Sequence, residues 1–240
     1  MPHKKKALVA ASFLAAAGSA HSGQWSGELG MGYIATAGNS GISSLSSKAG
    51  FVYGADPWKN TLTSATMHAS DPEGSTAERY TANDKLDYHF TPAQYTFLLG
   101  EYEKDLFGPV RERFSETLGY GRHLLPGPVH TLDAELGAGA RQMRENVTGL
   151  RHEEAVVRFN GRYLWDWRDH NGFAQAVKVE SGRENTLTES TTELKFALVG
   201  NVSAVGSYHV RHNSHAPAGT GSTDAITSAS LTYTFGRQKP

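Results

Sequence analysis

The sequence contains no cysteine, so disulfide bonds, thiolate metal sites and cysteine nucleophiles are excluded. Beyond residue 20 it also lacks an apolar run long enough for a transmembrane helix, which needs roughly 20 apolar residues. Net charge is small, because 23 Lys and Arg face 24 Asp and Glu, and no basic patch stands out. This balance argues against a nucleic-acid partner. If such a chain is exported, it is either soluble in the periplasm or a closed β-barrel.

The first twenty residues predict a secretory signal peptide. A positive n-region, His3–Lys6, precedes an apolar stretch, Ala7–Gly18, that is too short to span a bilayer. Small residues before the cut favour cleavage after Ala20, and an uncleaved anchor helix is the alternative. Loss of the three n-region lysines changes the formal net charge from -1 to about -4.

Residues 21–240 predict a single all-β domain, an up-and-down antiparallel transmembrane β-barrel of about twelve strands. Each strand and its turn share about 18 residues, enough for the ~10 residues that a tilted strand needs. The predicted strands lie near residues 24–36, 42–55, 58–70, 77–90, 94–106, 110–125, 129–144, 151–167, 172–182, 188–200, 202–212 and 224–235.

Alternating apolar and polar residues support these strands. From Ala229 to Phe235, for example, apolar residues occupy every second position and the intervening residues are Ser or Thr. The fifth strand is an exception, because Tyr95, Phe97 and Leu99 share a face with two glutamates. This pattern predicts a β-bulge, or an early exit from the membrane, in that strand.

Aromatic residues cluster beside the short turns, at one end of the predicted barrel. Amphipathic rings favour the boundary between hydrocarbon and water, where they form the girdles of outer-membrane barrels. A periplasmic β-sandwich would explain the alternation but not this segregation. The residues assigned to the girdle are Trp25, Trp58, Tyr88, Phe90, Tyr95, Phe97, Trp165, Trp167, Tyr233 and Phe235.

The connections also differ between the two ends. Tight turns accompany the aromatic end, which predicts that both termini lie in the periplasm. The opposite end is expected to carry longer polar loops, at Ser70–Ala77, Glu145–Arg151, Ser181–Thr188 and His212–Thr223.

Charged residues of both signs occupy the face opposite the apolar one. Inside a barrel they meet water and each other, whereas a charge facing lipid costs a few kcal/mol. Two interpretations follow: a pore that prefers anions because of a basic strip, Arg111, Arg113, Arg158 and Arg162, or a salt-bridged plug. The other charges expected in the lumen are Lys48, Lys85, Asp87, Asp133, Glu135, Arg141, Lys178, Glu180, Glu193, Lys195 and Arg211.

One segment is a weak candidate for a catalytic site. His212 and Ser214 lie two residues apart on the lipid-facing side of the eleventh strand, as an outer-membrane phospholipase would require for acyl transfer. A polar loop is the commoner explanation, since adjacent positions rarely bring a nucleophile to its base and no lipase elbow is present. We therefore predict no enzyme activity, no cofactor and no metal, although His209 and His215 lie nearby. The loop His212–Thr223 is an alternative binding platform.

Short motifs are spread along nearly all of the chain after the signal. They are Thr36–Ser40 with Ser44, Ser46 and Lys48, Arg79–Tyr80, Lys85–Phe90, Glu101–Phe107, Gly119–Gly121, Leu132–Gly137, Asn185–Thr186, Glu189–Ser190, Val210–Ser214, Thr223–Asp224 and Thr227. Together these motifs resemble the YdiY-like group, also called salt-induced outer membrane proteins or domain of unknown function 481. The resemblance implies an outer-membrane β-barrel of Gram-negative bacteria. It carries over no catalytic or ligand residue, because the role of the group is unsettled.

The expected partners are outer-membrane lipids, small polar solutes or ions, and the barrel-insertion machinery. The last of these would recognise the aromatic end of the final strand, Leu231–Phe235, although Gly236–Pro240 extend past it. The sequence thus predicts a narrow passive pore or a structural protein of the envelope.

Overall fold

The computed structural model describes residues 23–35, 43–167, 171–215 and 221–236. In these ranges the chain forms twelve antiparallel strands, and β12 pairs with β1 to close a barrel. No helix within them is long and apolar enough to cross a membrane. The strands are β1 Gln24–Ala35, β2 Ser43–Ala55, β3 Trp58–Asp71, β4 Gly74–Thr91, β5 Gln94–Asp105, β6 Val110–Pro126, β7 His130–Glu145, β8 Arg151–Trp167, β9 Asn171–Gly182, β10 Thr186–Val199, β11 Val202–Asn213 and β12 Thr223–Phe235.

The closed twelve-stranded barrel confirms the predicted fold. Two of the predicted long loops are wrong, because β4 begins at Gly74 and β10 at Thr186. The Asp71 carboxylate tightens the first of these connections by accepting hydrogen bonds from the backbone amides of Glu73 and Gly74, at 2.8 and 3.0 Å. The predicted signal peptide and the motif Thr36–Ser40 lie outside the described residues.

The outer surface of the barrel is apolar. Leu118 on β6, Leu136 on β7 and Val157 on β8 are all exposed, at alternate positions that point away from the lumen. A band of exposed aliphatic side chains around a closed sheet is the surface that faces hydrocarbon. The alternation of the sequence therefore corresponds to lipid on one face of the sheet and the lumen on the other.

All four tryptophans lie at the end of the barrel where the odd-numbered strands begin, which we call the turn end. Trp58 packs edge-on against Tyr88, with ring centroids 4.9 Å apart, and Trp165 against Trp167 at 5.1 Å. Exposed tyrosines also occur in the other half of the strands, toward the loop end, and were not assigned to a girdle from the sequence. These are Tyr33, Tyr80, Tyr102 and Tyr208.

The β-bulge predicted for the fifth strand is absent from its pairing with β6, whereas the alternative, an early exit from the membrane, stays a prediction. β5 pairs with β6 from Gln94 to Lys104 without a register shift, so it contains no bulge on that side. Tyr95 and Phe97, which the sequence assigned to the girdle, are 3% and 1% exposed and point into the lumen. Their shared face with two glutamates is simply the inward face of the strand.

Candidate functional site in the barrel lumen

The lumen has two sides of different character. Long charged side chains and aromatic rings fill the first, which we call the packed side. The second holds a cavity of about 390 Å³ lined largely by small residues, and we call it the cavity side. Because a strand places every second residue inward, the contents of each side follow directly from the inward residues of its strands.

The packed side begins with a lysine held between two carboxylates. Lys85 Nζ lies 3.0 Å from Asp87 Oδ1 and forms a second ion pair with Glu135. Arg158 continues the series, with Nη1 3.2 Å from Glu135 Oε2 and Nε 3.6 Å from Glu101 Oε2. Cations and anions therefore alternate across strands β4, β7, β8 and β5.

The same alternation continues toward the loop end. Lys178 Nζ contacts Glu101 Oε1 at 3.1 Å and Glu189 Oε2 at 2.6 Å. Arg211 then joins Glu189, at 3.8 Å, to Glu103, at 2.5 Å. We call this series, from Asp87 to Glu103, the ion-pair chain.

Two further arginines converge on the end of the ion-pair chain. Arg113 Nη1 lies 3.6 Å from Glu103 Oε2. Arg79 joins Glu103 to Asp105, with its Nε 3.9 Å from Glu103 Oε1 and its Nη2 2.6 Å from Asp105 Oδ2. The Asp105 carboxylate also accepts hydrogen bonds from the backbone amides of Phe107 and Gly108, at 3.0 and 2.7 Å. This end of the ion-pair chain is therefore anchored to the β5–β6 connection.

A separate cluster surrounds Arg141, which is 0% exposed. Its guanidinium pairs with Glu154, and with Glu180 at 2.9 Å, and also donates to the backbone carbonyl of Asn185 at 2.6 Å. A buried guanidinium is tolerated only when its donors are satisfied in this way. The cluster ties β7, β8 and β9 to the β9–β10 connection.

Aromatic rings complete the packed side. Lys85 Nζ lies 4.8 Å from the ring centroid of Tyr95 and 5.0 Å from that of Phe97, and the Tyr95 hydroxyl donates to Glu135 at 2.8 Å. On β6, the inward positions beside these rings are Gly119 and Gly121, where a Cβ would overlap the ring atoms. The Gly-x-Gly spacing on β6 therefore makes room for the two rings.

The cavity side has smaller inward residues. β12 contributes Ser228, Ser230 and Thr232, and β1 contributes Gly30 and Gly32. Hydroxyl groups pair with one another, as Ser207 and Ser228 do with their oxygens 2.7 Å apart. The charged residues that line this cavity are Glu28, Lys48, Arg79, Arg162, Asp166, Glu193 and Lys195.

One lysine, Lys48, forms two ion pairs on the cavity side. Lys48 Nζ lies 3.4 Å from Glu28 Oε1 on the neighbouring strand and 3.4 Å from Glu193 Oε1 on β10. The side chains of Lys48, Glu28 and Glu193 are 49%, 38% and 30% exposed. These charges therefore lie beside open space that water can fill, unlike those of the packed side.

The four arginines predicted to form one basic strip are separated in the structure. Arg113 and Arg158 are buried among carboxylates of the packed side. Arg111, near the loop end, donates to the side-chain carbonyl of Asn146 at 3.3 Å. Arg162 lines the cavity and is exposed. A role in ion selectivity therefore stays a prediction for Arg162, whereas the other three arginines have partners elsewhere.

Of the other predicted lumen residues, Lys48, Glu193 and Lys195 line the cavity, and the rest belong to the packed side or its turn end. Glu135, Lys178, Arg141 and Glu180 have the partners described above, and Asp133 Oδ1 lies 2.6 Å from His123 Nδ1. The sequence did not single out the hydroxyl-lined wall of the cavity. The signal for it was present in β12, where the inward positions carry only short side chains from Ser228 onward.

His212 and Ser214 contact different partners. His212 Nδ1 lies 2.8 Å from Thr223 Oγ1, whereas Ser214 Oγ donates to Asn185 Oδ1 at 3.3 Å and accepts from the Thr186 amide at 2.8 Å. No hydrogen bond joins His212 to Ser214 among the described contacts, so acyl transfer stays an untested prediction. No group of three His, Asp or Glu in the described ranges is arranged to hold a metal ion.

Comparison with known proteins identifies relatives of the whole barrel. The family model described as "Protein of unknown function, DUF481" matches residues 29–235. An uncharacterized protein of Escherichia coli (strain K12), YdiY, is 30% identical over 211 residues, covering 87% of this chain and 82% of that protein. These matches agree with the resemblance that the sequence motifs suggested.

Solved structures of similar shape include two outer-membrane proteins. An outer membrane channel from Pseudomonas putida F1 is 12% identical, with a TM-score of 0.52 and coverage of 90% of this chain and 97% of that one. The NanC porin is 8% identical, with a TM-score of 0.50 and coverage of 87% and 97%. At these identities the likeness concerns the fold alone.

Proposed function

The chain belongs to the DUF481 family of proteins of unknown function, and we propose that it is a narrow passive pore of the bacterial outer membrane. The observation that carries this proposal is the cavity of about 390 Å³ beside the packed side. Solutes would follow the cavity side, past Lys48, and avoid the ion-pair chain.

The lining of the cavity favours small polar solutes and ions. Serine and threonine hydroxyls can replace part of a solute's hydration, and charges of both signs face the space. Arg162 and Lys195 have no ion-pair partner among the described residues, whereas Lys48 is shared by two carboxylates. We therefore expect a weak preference for anions, to which Arg162 contributes.

Planar-bilayer recording of the refolded protein tests the proposal. Because the chain has no cysteine, a single introduced thiol is the only target for a charged methanethiosulfonate reagent. Ser230→Cys places this thiol on the cavity wall, and its modification should lower the single-channel conductance. The matched control is Ser115→Cys on β6, which lies buried in the packed side and should leave the conductance unchanged.

A silent bilayer would contradict the pore, provided that a heat-modifiable gel shift shows the protein to be folded. A conducting barrel in which neither thiol affects the current would place the path elsewhere in the lumen. After a silent bilayer, a structural role in the envelope would be the better hypothesis.

A further inference from the structure

The barrel is closed by a short seam. Within the described residues, β1 pairs with β12 only from Gly27↔Phe235 to Met31↔Leu231. On its other edge, β1 pairs with β2 along its whole length, from Gln24↔Gly54 to Ala35↔Ser43. Within the described residues, the segment Gly32–Ala35 therefore has a sheet neighbour on one side only.

β12 shows the complementary edge. The segment Thr227–Ser230, which faces Gly32–Ala35 in the same register, pairs with β11, from Tyr208↔Thr227 to Val205↔Ser230, but has no ladder partner on the described part of β1. Backbone groups without partners are too costly to lie in hydrocarbon, and at membrane depth they are tolerated only where they are buried in protein or line a water-filled cavity. The unpaired edges therefore need water beside them.

The cavity borders the unpaired edges of β1 and β12, where water is needed. It is lined by Gly32 of β1 and by Ile226, Ser228 and Ser230 of β12. On the outside of the same strand, Met31 and Tyr33 are 65% and 66% exposed, so apolar side chains face lipid across a single layer of sheet. At the unpaired part of the seam, therefore, no continuous ladder of hydrogen bonds lies between the hydrated cavity and the bilayer.

We propose that this part of the seam is a lateral opening, through which a single-chain amphiphile with an anionic head group passes between the cavity and the membrane. The cavity wall includes the aliphatic side chains of Met67, Leu164 and Val205, which suit a hydrocarbon chain. Arg162 and Lys195 supply positive charge for the head group. The inference rests on the cavity of the proposed pore but not on conduction through it.

Lipid-borne quenching tests the opening directly. A bimane fluorophore is attached at Ala65→Cys, on the cavity wall at β3. The labelled protein is reconstituted in liposomes that contain 16-doxyl-stearate. This lipid is itself a single-chain anionic amphiphile, and its nitroxide group quenches bimane fluorescence. A second pair, Tyr33→Cys and Ala229→Cys, is oxidised before labelling to staple the seam. We expect quenching in the unstapled protein, its loss on oxidation of the staple, and its return on reduction.

Two controls show whether the staple acts on the seam alone. Ala49→Cys faces lipid on β2 and should be quenched whether or not the seam is stapled. Aqueous iodide should quench the label at Ala65→Cys equally in both states, because it enters by the pore. Loss of iodide quenching alone would therefore count against the pore, and doxyl quenching that is absent or indifferent to the staple would overturn the lateral opening.

A glycine substitution gives an independent test that needs no cross-link. A Cβ at Gly32 would lie 2.8 Å from Ser46 Oγ and would also overlap the Ala229 carbonyl, so Gly32→Ala should push the seam apart. We expect faster quenching of the bimane label by 16-doxyl-stearate in this variant. An unchanged or slower rate in the folded protein would contradict the proposal.

Discussion

The packed side and the cavity side of the lumen are built from the same sheet and carry charges of both signs. Side chains fill the packed side, whereas the cavity side contains open space. The difference lies in the uncharged inward residues. On β5 they are Tyr95, Phe97 and Leu99, whereas on β12 they include Ser228 and Ser230. Side-chain volume at a few inward positions, and not charge, therefore decides which part of a twelve-stranded lumen stays open.

The charges themselves also differ in energy between the two sides. Arg141 is fully buried and depends on its carboxylates, because an uncompensated charge in the interior is strongly unfavourable. Lys48 and its partners are half exposed to the cavity, where water competes with each ion pair. Ion pairs on the two sides therefore contribute unequally to stability.

Removal of the buried guanidinium is expected to have the largest effect. Arg141→Ala leaves Glu154 and Glu180 without their cation and should lower the free energy of unfolding by about 3–5 kcal/mol. Denaturant titration of the refolded protein in detergent micelles measures this change. The matched control, Arg162→Ala on the cavity side, should stay within about 0.5 kcal/mol, and equal losses in both variants would remove the distinction between the sides.

Truncation of an aromatic ring gives the next effect. Phe97→Ala should cost about 3 kcal/mol, because the ring is buried between Lys85 and Gly119 and its removal leaves a void. Leu164→Ala, on the cavity wall, should cost about 1 kcal/mol since its side chain already borders open space. The same titration compares them, and a larger loss for Leu164→Ala would show that the cavity side is the more tightly packed.

The lysine that crosses the cavity should contribute little to stability. Lys48→Met removes two hydrated ion pairs, and we expect the free energy of unfolding to change by no more than about 1 kcal/mol. Addition of salt should reduce even this difference. A loss as large as that of Arg141→Ala would mean that the cavity excludes water.

The smallest expected effect is a difference in ion selectivity between charge reversal on the cavity side and charge reversal near the loop end. Arg162→Glu should shift the reversal potential in a salt gradient toward cations, because the side chain faces the cavity. Arg111→Glu reverses the same charge near the loop end, beside Asn146, and should shift it less. Equal shifts would indicate that ions pass both positions and that the path is wider than the cavity.

Strand number and closure were predictable because lipid imposes a strict rule on every second residue. The fifth strand was misjudged because Tyr95 and Phe97 satisfy that rule equally well as girdle residues or as lumen residues. Only the glutamates further along β5 distinguish these alternatives, because they mark the face that they share with the rings as the inward one. Aromatic rings beside charged residues on one strand face are compatible with a filled lumen.

The division of the lumen was not predictable from local pattern. Barrel closure brings together Glu103 and Arg211, which are 108 positions apart, and Lys48 and Glu193, which are 145 apart. Alternation shows that such residues point inward but not which of them meet. The four arginines of the candidate strip show the same limit: Arg113 and Arg158 lie among carboxylates, whereas Arg162 lines the cavity, because a shared orientation does not imply shared neighbours.

The ion-pair chain has a consequence for assembly. Ladder hydrogen bonds join only neighbouring strands, so they can form one hairpin at a time. The contact between Arg211 and Glu103, at 2.5 Å, instead joins β11 to β5 and can form only after the growing sheet has curved back on itself. Ion pairs between distant strands therefore stabilise the closed barrel relative to an open sheet of the same strands. They form only when the barrel closes, and they then oppose its reopening.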